Sequence, residues 1–164
     1  FVADLVLPDI LVLGKALTGG YIGHAVTVAN EKVFRAFYSD NDRHALMHGP
    51  TFMGNALACA AALKGIEIFE REDYMSKIQK IEAISKREML GFADPRIKEV
   101  RVMGGCTCVE VYDPKDLAGF QEFAYQRGVF SRPFLSYMYS MVPYIIQEDE
   151  LVKIFDTMKA WFRR

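Results

Sequence analysis

The sequence predicts an α/β protein in which a strand buried in a sheet is followed by a long apolar helix and a smaller α+β portion. Residues 10–13 form an uninterrupted apolar run between Pro8-Asp9 and Gly14, which is typical of a strand covered on both faces. Residues 55–70 are rich in alanine and apolar on nearly every side, as in a helix packed inside a larger body. After residue 72, shorter helical and alternating patterns take over.

The sequence pattern changes at the charged run from Glu70 to Asp73. We expect a domain boundary there, which gives portions 1–72 and 73–164. In the first portion, residues 24–29 read as a second strand, and Asn30 opens a short helix that runs through Phe37. A polar loop is expected over residues 39–43.

The second portion is predicted to contain a helix, two strands and two further helices. Four apolar residues recur at helical spacing after the boundary: Met75, Ile78, Ile81 and Ile84. Strands over 100–103 and 107–112 are joined through Gly104-Gly105, and Asp113-Pro114 opens a helix that Gly128 closes. A final helix carries one apolar stripe of Leu151, Ile154, Phe155, Met158 and Phe162.

Composition excludes several classes of protein. The 164 residues are 51% hydrophobic with a net charge of −1, which suits a globular chain, and no basic stripe suggests nucleic acid as a partner. No stretch approaches the roughly 20 apolar residues of a membrane span, so we expect no membrane association and a cytoplasmic location. Because the chain begins at Phe1, without methionine, we expect it to be a piece of something longer.

The sulfur and imidazole side chains predict no metal site. Three cysteines, an odd number, lie on apparently regular elements and are expected to be reduced: Cys59, Cys106 and Cys108. Neither they nor the three histidines, His24, His44 and His48, have the spacing of a metal cage.

Lys15 follows the buried strand at once and is followed by Gly19-Gly20. An ammonium group at the end of a buried strand must find a partner, lose its proton or be converted covalently. One interpretation is a lysine whose stem is buried and whose head reaches solvent. The other is a nucleophilic amine at the carboxyl end of a strand, where α/β folds place their ligands.

Thr51 lies in a turn rich in glycine and proline, residues 48–54, that leads directly into the apolar helix. Its hydroxyl and the neighbouring backbone amides could bind an anion such as a phosphate. Alternatively, Thr51 is the N-cap of the helix. A strand-end lysine and an anion-binding turn together match the two ends of a phosphorylated aldehyde cofactor.

Arg132 lies between Phe130 and Pro133-Phe134, an apolar context in which a guanidinium group should be paired. Its planar fork suits a carboxylate, either that of a structural salt bridge or that of a bound ligand.

These motifs resemble a known family. PDILVLGKALTGG, followed by MHGPTFMGNALACAAA, is similar to the pyridoxal-phosphate-dependent aminotransferases of class III, which have the fold type I architecture. The resemblance implies that residues 1–72 are the C-terminal part of the large cofactor-binding domain and that residues 73–164 are the small C-terminal α+β domain. It covers nearly all of this chain but only the later part of the family's polypeptide.

Within the family, the Gly-Pro-Thr turn and GVFSRPFLSYMYSMVPYII resemble the branch that serves biotin synthesis. This implies 8-amino-7-oxononanoate as the amino acceptor, S-adenosylmethionine or lysine as the donor, and a homodimer whose active site is shared across the interface. Lys15 would bind the cofactor covalently and act as general base, and Thr51 would hold the phosphate of the partner subunit's cofactor. The other implied residues are Pro50 at the cofactor, and Gly49, Arg132, Phe134 and Tyr139 at the substrate.

Two other functions remain open at this stage. The chain could serve another class III aminotransferase, with lysine, 4-aminobutyrate or ornithine as donor, or it could be a non-catalytic module that keeps the fold. The family's acidic partner of the pyridine nitrogen and its upstream phosphate contacts would precede Phe1. We therefore expect a missing N-terminal portion and little or no activity from these 164 residues alone.

Overall fold

The computed structural model describes residues 6–164, so the first five residues of the predicted large-domain portion lie outside the described part of the chain. The chain divides into two compact units, one ending at Glu72 and one running from Asp73 to Arg164. Their assignment to a large and a small domain stays a prediction.

The first unit contains a two-stranded antiparallel sheet and two helices. Strand β1, Ile10–Leu13, pairs with β2, Val26–Ala29, so that Ile10 lies opposite Ala29. A single 3-10 turn, Lys15–Thr18, follows β1. Helix α1 spans Glu31–Phe37 and begins at the side chain of Asn30, which accepts a hydrogen bond from the Val33 amide. Helix α2 spans Ala56–Arg71.

Strand β1 forms where its apolar run predicts it, but the expectation that both faces are buried is wrong for the described residues. Its side chains are exposed, from 36% at Leu11 to 67% at Val12. The reason is that β1 pairs only with β2, and nothing within residues 6–164 covers either face of the pair.

Helix α2 has the apolar surface that the sequence predicts, and much of it is uncovered. Ala58 and Ala62 are buried, whereas Leu57 is 72% and Leu63 is 69% exposed. Within the described residues, this helix therefore buries only one narrow stripe.

The second unit is a three-stranded antiparallel sheet packed against helices. Helix α3 spans Tyr74–Met89 and is followed by β3, Ile97–Met103, and β4, Cys106–Val111, which meet at the Gly104-Gly105 turn. Gly104 has φ 53°, as the first central residue of a tight hairpin turn requires. After the short helix α4, Phe120–Tyr125, strand β5, Tyr137–Met141, completes the sheet in the order β3-β4-β5. Helix α5 spans Glu148–Phe162.

The hydrophobic core of the second unit lies between one face of this sheet and helices α3, α4 and α5. The predicted stripe of α5 is confirmed, because Leu151, Phe155, Met158 and Phe162 are all buried. Trp161 is 1% exposed and packs edge-on against Phe120. Burial of large side chains on this scale typically contributes about 1.5–3 kcal/mol each.

The predicted helix from Asp113 to Gly128 is wrong, because the chain breaks at Gly119. Residues Pro114–Leu117 form a 3-10 turn, and α4 begins only after Gly119, whose φ is 86°. The Trp161 indole donates a 2.8 Å hydrogen bond to the Asp116 carbonyl. An α-helix continuing through this segment would use that carbonyl, so the contact with α5 competes with the helix.

Strand β5 was not predicted as a strand, although its side chains alternate between the two faces. Met138 and Ser140 are buried on the core face, and Tyr137, Tyr139 and Met141 point to the other face. None of the helices within residues 6–164 has both the length and the apolar character needed to cross a bilayer.

Candidate active site

Lys15 follows β1 after a single residue and has a left-handed backbone. Its φ is 51°, a conformation that costs a residue with a side chain about 1–3 kcal/mol and that tends to mark functional positions. The 3-10 turn that it opens is closed by hydrogen bonds from the Leu17 amide to Gly14, at 3.2 Å, and from the Gly19 amide to Ala16, at 2.9 Å. The lysine is therefore fixed at its backbone.

Two residues that the sequence analysis did not single out hold this turn in place. Thr18 is 2% exposed, and its hydroxyl donates a hydrogen bond to the Ile22 carbonyl, which closes the loop around Gly19-Gly20. Gly65 of α2 lies against the turn, since a Cβ at this position would be 3.0 Å from the Leu17 carbonyl oxygen. A mid-helix glycine is the one signal in the sequence that could have suggested this close approach.

Of the two interpretations of Lys15, the one in which its head reaches solvent agrees with residues 6–164, although the stem is not buried there. The side chain is exposed, and its amine forms no hydrogen bond or ion pair within the described residues. The cause is the same as for β1, because the faces of the β1–β2 pair are uncovered. The amine is thus open to solvent within the described residues.

Thr51 is not the N-cap of α2. The side chain of Asn55 takes that role, accepting a 3.1 Å hydrogen bond from the Ala58 amide. Thr51 lies in an exposed turn closed by a 2.9 Å hydrogen bond from the Met53 amide to the Pro50 carbonyl. Within residues 6–164 the Thr51 hydroxyl has no partner, which leaves it able to donate to an anion.

Lys15 and Thr51 do not form one hydrogen-bonded site within this chain. The lysine turn packs on α2 at Gly65, whereas the Thr51 turn precedes Asn55 at the start of the helix. At a rise of about 1.5 Å per residue, the two points are separated by ~15 Å along the helix axis. That Thr51 serves the cofactor of a partner subunit stays a prediction.

Arg132, Phe134 and Tyr139 lie together on one hairpin of the second unit. The amide of Phe134 donates to the Tyr137 carbonyl at 2.8 Å, and the amide of Tyr137 donates back at 2.9 Å. The Ser131 hydroxyl donates a 3.3 Å hydrogen bond to the Tyr139 carbonyl, which ties the segment before Arg132 to β5. Tyr139 lies on the face of the sheet that points away from the core, as does Phe134 opposite Tyr137.

Arg132 is exposed and forms no ion pair or hydrogen bond within the described residues. The structural salt bridge that its apolar context suggested is therefore wrong for residues 6–164. A guanidinium group without a partner within these residues is able to bind a carboxylate through two hydrogen bonds.

Other charges on this face are matched within the protein. Glu110 accepts hydrogen bonds from Lys98, at 2.7 Å, and from Arg101, at 2.8 Å. The hydrogen bond from Lys98, aided by that from Arg101, holds the pKa of Glu110 below its ordinary value, although desolvation acts in the opposite direction. Within the described residues, Lys98 and Arg101 are thus paired with Glu110, whereas Arg132 has no partner.

The sequence matches the family described as aminotransferase class-III over residues 3–162. The chain belongs to this family. Sequence comparison thus confirms the resemblance that the lysine and threonine motifs indicated.

Several curated relatives of this chain carry the name of a single enzyme. The chain is 39% identical to the adenosylmethionine-8-amino-7-oxononanoate aminotransferase of Saccharomyces cerevisiae, over 91% of this chain and 33% of the relative. It is 35% identical to the enzyme of the same name from Corynebacterium glutamicum, over 93% of this chain and 36% of the relative. The chain therefore spans about a third of the length of these class III relatives.

Solved structures confirm the fold. The adenosylmethionine-8-amino-7-oxononanoate aminotransferase from Methanocaldococcus jannaschii superimposes with a TM-score of 0.81 at 29% identity, over 99% of this chain and 40% of that one. An amine transaminase from an uncultivated Pseudomonas species, solved in a PLP-bound form, gives 0.83 at 29% identity, over 97% and 39%. The two units are thus part of the α/β fold of class III transaminases.

Proposed function

We propose that this chain contributes the reactive lysine and the carboxylate-binding arm of an aminotransferase that uses pyridoxal phosphate. The observation that carries the proposal is Lys15, an amine without a partner within residues 6–164, on a strained turn braced by Thr18 and Gly65. Membership in the aminotransferase class-III family supports the proposal that this amine binds pyridoxal phosphate covalently. The role of each residue is the one that the family resemblance implies, and its side-chain chemistry is compatible with that role.

The available groups fit pyridoxal phosphate. Lys15 offers an amine that can bond to an aldehyde carbon, and the Thr51 turn offers a hydroxyl and backbone amides for a phosphate. The cofactor, when bound, supplies a ring that withdraws electrons from the reacting carbon of the amino donor. Pro50 and Gly49 shape the turn that presents Thr51.

Each of the chain's own residues then has one task. Lys15, as a free amine, takes a proton from the donor's carbon next to nitrogen and returns it later as an acid. Arg132 binds the carboxylate of the substrate through its two-pronged guanidinium, and Phe134 and Tyr139 line the apolar part of the same face.

We further propose that the reaction is amino transfer to 8-amino-7-oxononanoate, with S-adenosylmethionine or lysine as donor. Support comes from the relatives that carry this name and from the free carboxylate-binding group at Arg132. A homodimer is proposed as well, because the family resemblance implies that Thr51 binds the phosphate of the partner subunit's cofactor. Because the relatives are about three times longer, the 164 residues alone are expected to be inactive.

Grafting tests this proposal. The present chain replaces the matching third of the Saccharomyces cerevisiae relative, and the hybrid is assayed for diamine formation from 8-amino-7-oxononanoate with each donor. The hybrid should turn over, and Lys15→Ala should abolish turnover because no other amine stands at this position. Borohydride reduction should attach the cofactor to the peptide that contains Lys15, as seen by mass spectrometry. Labelling on another lysine, or activity in the Lys15→Ala hybrid, contradicts the assignment.

Arg132→Lys in the same hybrid separates substrate recognition from amine chemistry. Lysine keeps the charge but loses the bidentate geometry, so KM for the keto substrate should rise about 10- to 100-fold, the loss of one charge-assisted hydrogen bond. The half-reaction with the amino donor should stay within about twofold, a split that marks a binding residue. Full activity with 4-aminobutyrate or ornithine, and none with 8-amino-7-oxononanoate, would instead identify a different class III aminotransferase.

A further inference from the structure

The sheet of the second unit carries a row of three sulfur atoms that the proposed aminotransferase chemistry does not use. Cys106 of β4 pairs with Met103 of β3 on one side and with Met141 of β5 on the other. Directly opposed residues of antiparallel strands share a face, with their Cβ atoms about 4.5–5.5 Å apart. Two thioethers therefore flank one thiol, each a single strand spacing away.

The three side chains are accessible. Met103 is 59% and Met141 is 74% exposed, and Cys106 is partly exposed between them. They line one open groove of about 430 Å³ at the Gly104-Gly105 turn. Both turn residues are glycines, so no side chain of the turn itself projects over the row.

Neighbouring rows on the same face have different chemistry. One row along, Cys108 lies between Arg101 and Tyr139, and the next row sets Glu110 between Glu99 and Tyr137. A guanidinium opposes the binding of a cation, and neither of these rows has a second sulfur. The all-sulfur row is thus distinct from both of its neighbours on the sheet.

We propose that Met103, Cys106 and Met141 form a binding site for a soft monovalent metal ion, Cu(I) or its redox-inert analogue Ag(I). Thiolate and thioether sulfur select Cu(I), whereas Zn²⁺ prefers sites completed by cysteine, histidine or carboxylate. Within residues 6–164, no group of three histidine, cysteine, aspartate or glutamate side chains could hold a metal ion. The proposed site therefore depends on the two methionines as ligands. On binding, the Cys106 thiol releases its proton to solvent, and the ion keeps its oxidation state.

Flexibility makes three-coordinate binding possible without moving the sheet. Methionine has three rotatable side-chain bonds, so each thioether can lean across one strand spacing toward the thiol. Cys106 is held centrally by strand pairing on both sides. The expected geometry is a trigonal set of one thiolate and two thioethers.

Competition for Cu(I) tests the site. The reduced 164-residue chain is titrated anaerobically against the Cu(I) complex of bathocuproine disulfonate, and loss of the complex's absorbance measures transfer. One equivalent should bind, and Cys106→Ser should abolish that binding. Met103→Leu and Met141→Leu should each weaken it at least about 10-fold, since even outer contacts of metal sites cost that much. X-ray absorption should show sulfur neighbours only.

Control variants test whether binding depends on these three sulfur atoms. Cys108→Ser and Cys59→Ser remove the other two thiols and should leave the affinity unchanged, as should excess Zn²⁺. Met-to-Leu exchange conserves volume on an exposed face, and circular dichroism checks that the fold is retained. The proposal is overturned if no equivalent binds, if binding follows Cys108 or Cys59, or if the double methionine variant binds as tightly as the original chain.

Discussion

At the scale of single residues, candidate functional side chains are easier to predict from the sequence than the contacts that surround them. Lys15, Thr51 and Arg132 were all singled out from the sequence, because an amine after a strand, a hydroxyl in a glycine turn and an arginine among apolar residues are each unusual. Their surroundings were not predicted. Asn55 is itself a favoured N-cap residue type, so its role was within reach of the sequence. The brace from Thr18 to the Ile22 carbonyl is not marked by any such pattern.

Glu110 provides a pH-dependent prediction at this scale. Its folded pKa is lowered by Lys98 and Arg101, so its contribution to stability is complete above the unfolded value of about 4.3 and is lost as the pH falls below it. Glu110→Gln should therefore lower the urea midpoint at pH 7, and the gap to the original chain should narrow as the pH falls through the lowered pKa of Glu110. Fluorescence of the single tryptophan, Trp161, reports unfolding of this unit. A gap that is independent of pH contradicts the prediction.

At the scale of secondary structure, elements with a strong local pattern were predicted and those set by tertiary contact were not. Helix α5 combines an apolar stripe with acids in its first turn, and its capping box between Gln147 and Glu150 fixes the start. The break at Gly119 was missed, because it depends on a hydrogen bond from Trp161, over forty residues away along the chain. Strand β5 was missed because its alternation lies within a motif that was read as a ligand-binding segment.

The start of α2 gives a prediction that separates a structural role from a binding role. Asn55→Ala removes the cap and should reduce the opening free energy of α2 amides by about 1 kcal/mol, measured by hydrogen exchange of residues 56–71. Thr51→Ala should leave these amides unchanged, because within residues 6–164 the Thr51 side chain forms no hydrogen bond with the helix end. In the hybrid enzyme, Thr51→Ala should weaken cofactor retention and Thr51→Ser should preserve it. Equal effects of Asn55→Ala and Thr51→Ala on exchange would return the cap to Thr51.

At the scale of the whole molecule, burial is distributed unevenly. Nearly all of the large buried side chains belong to residues 73–164, whereas the first unit buries Thr18, Ala58 and Ala62. The α/β class and the division near residue 72 follow from composition and patterning. The lack of cover on β1 could not be read from the sequence, since an apolar run indicates that a face needs a partner and not which residues supply it.

This distribution predicts unequal protection in the 164-residue chain. Amides of β3, β4 and α5 should exchange most slowly, at rates set by unfolding of the second unit, because they surround its core. Amides of β1 and β2 should exchange much faster, because both faces of that pair are exposed to water. Hydrogen exchange with mass spectrometry measures both sets in one sample. Equal protection of the two units would contradict the prediction.

The left-handed backbone at Lys15 separates the demands of folding from those of reactivity. Glycine would adopt this conformation without steric cost, so selection for thermal tolerance alone would favour losing the amine from this position. A directed-evolution campaign on this chain should therefore hold codon 15 constant, or it will enrich robust but inert variants.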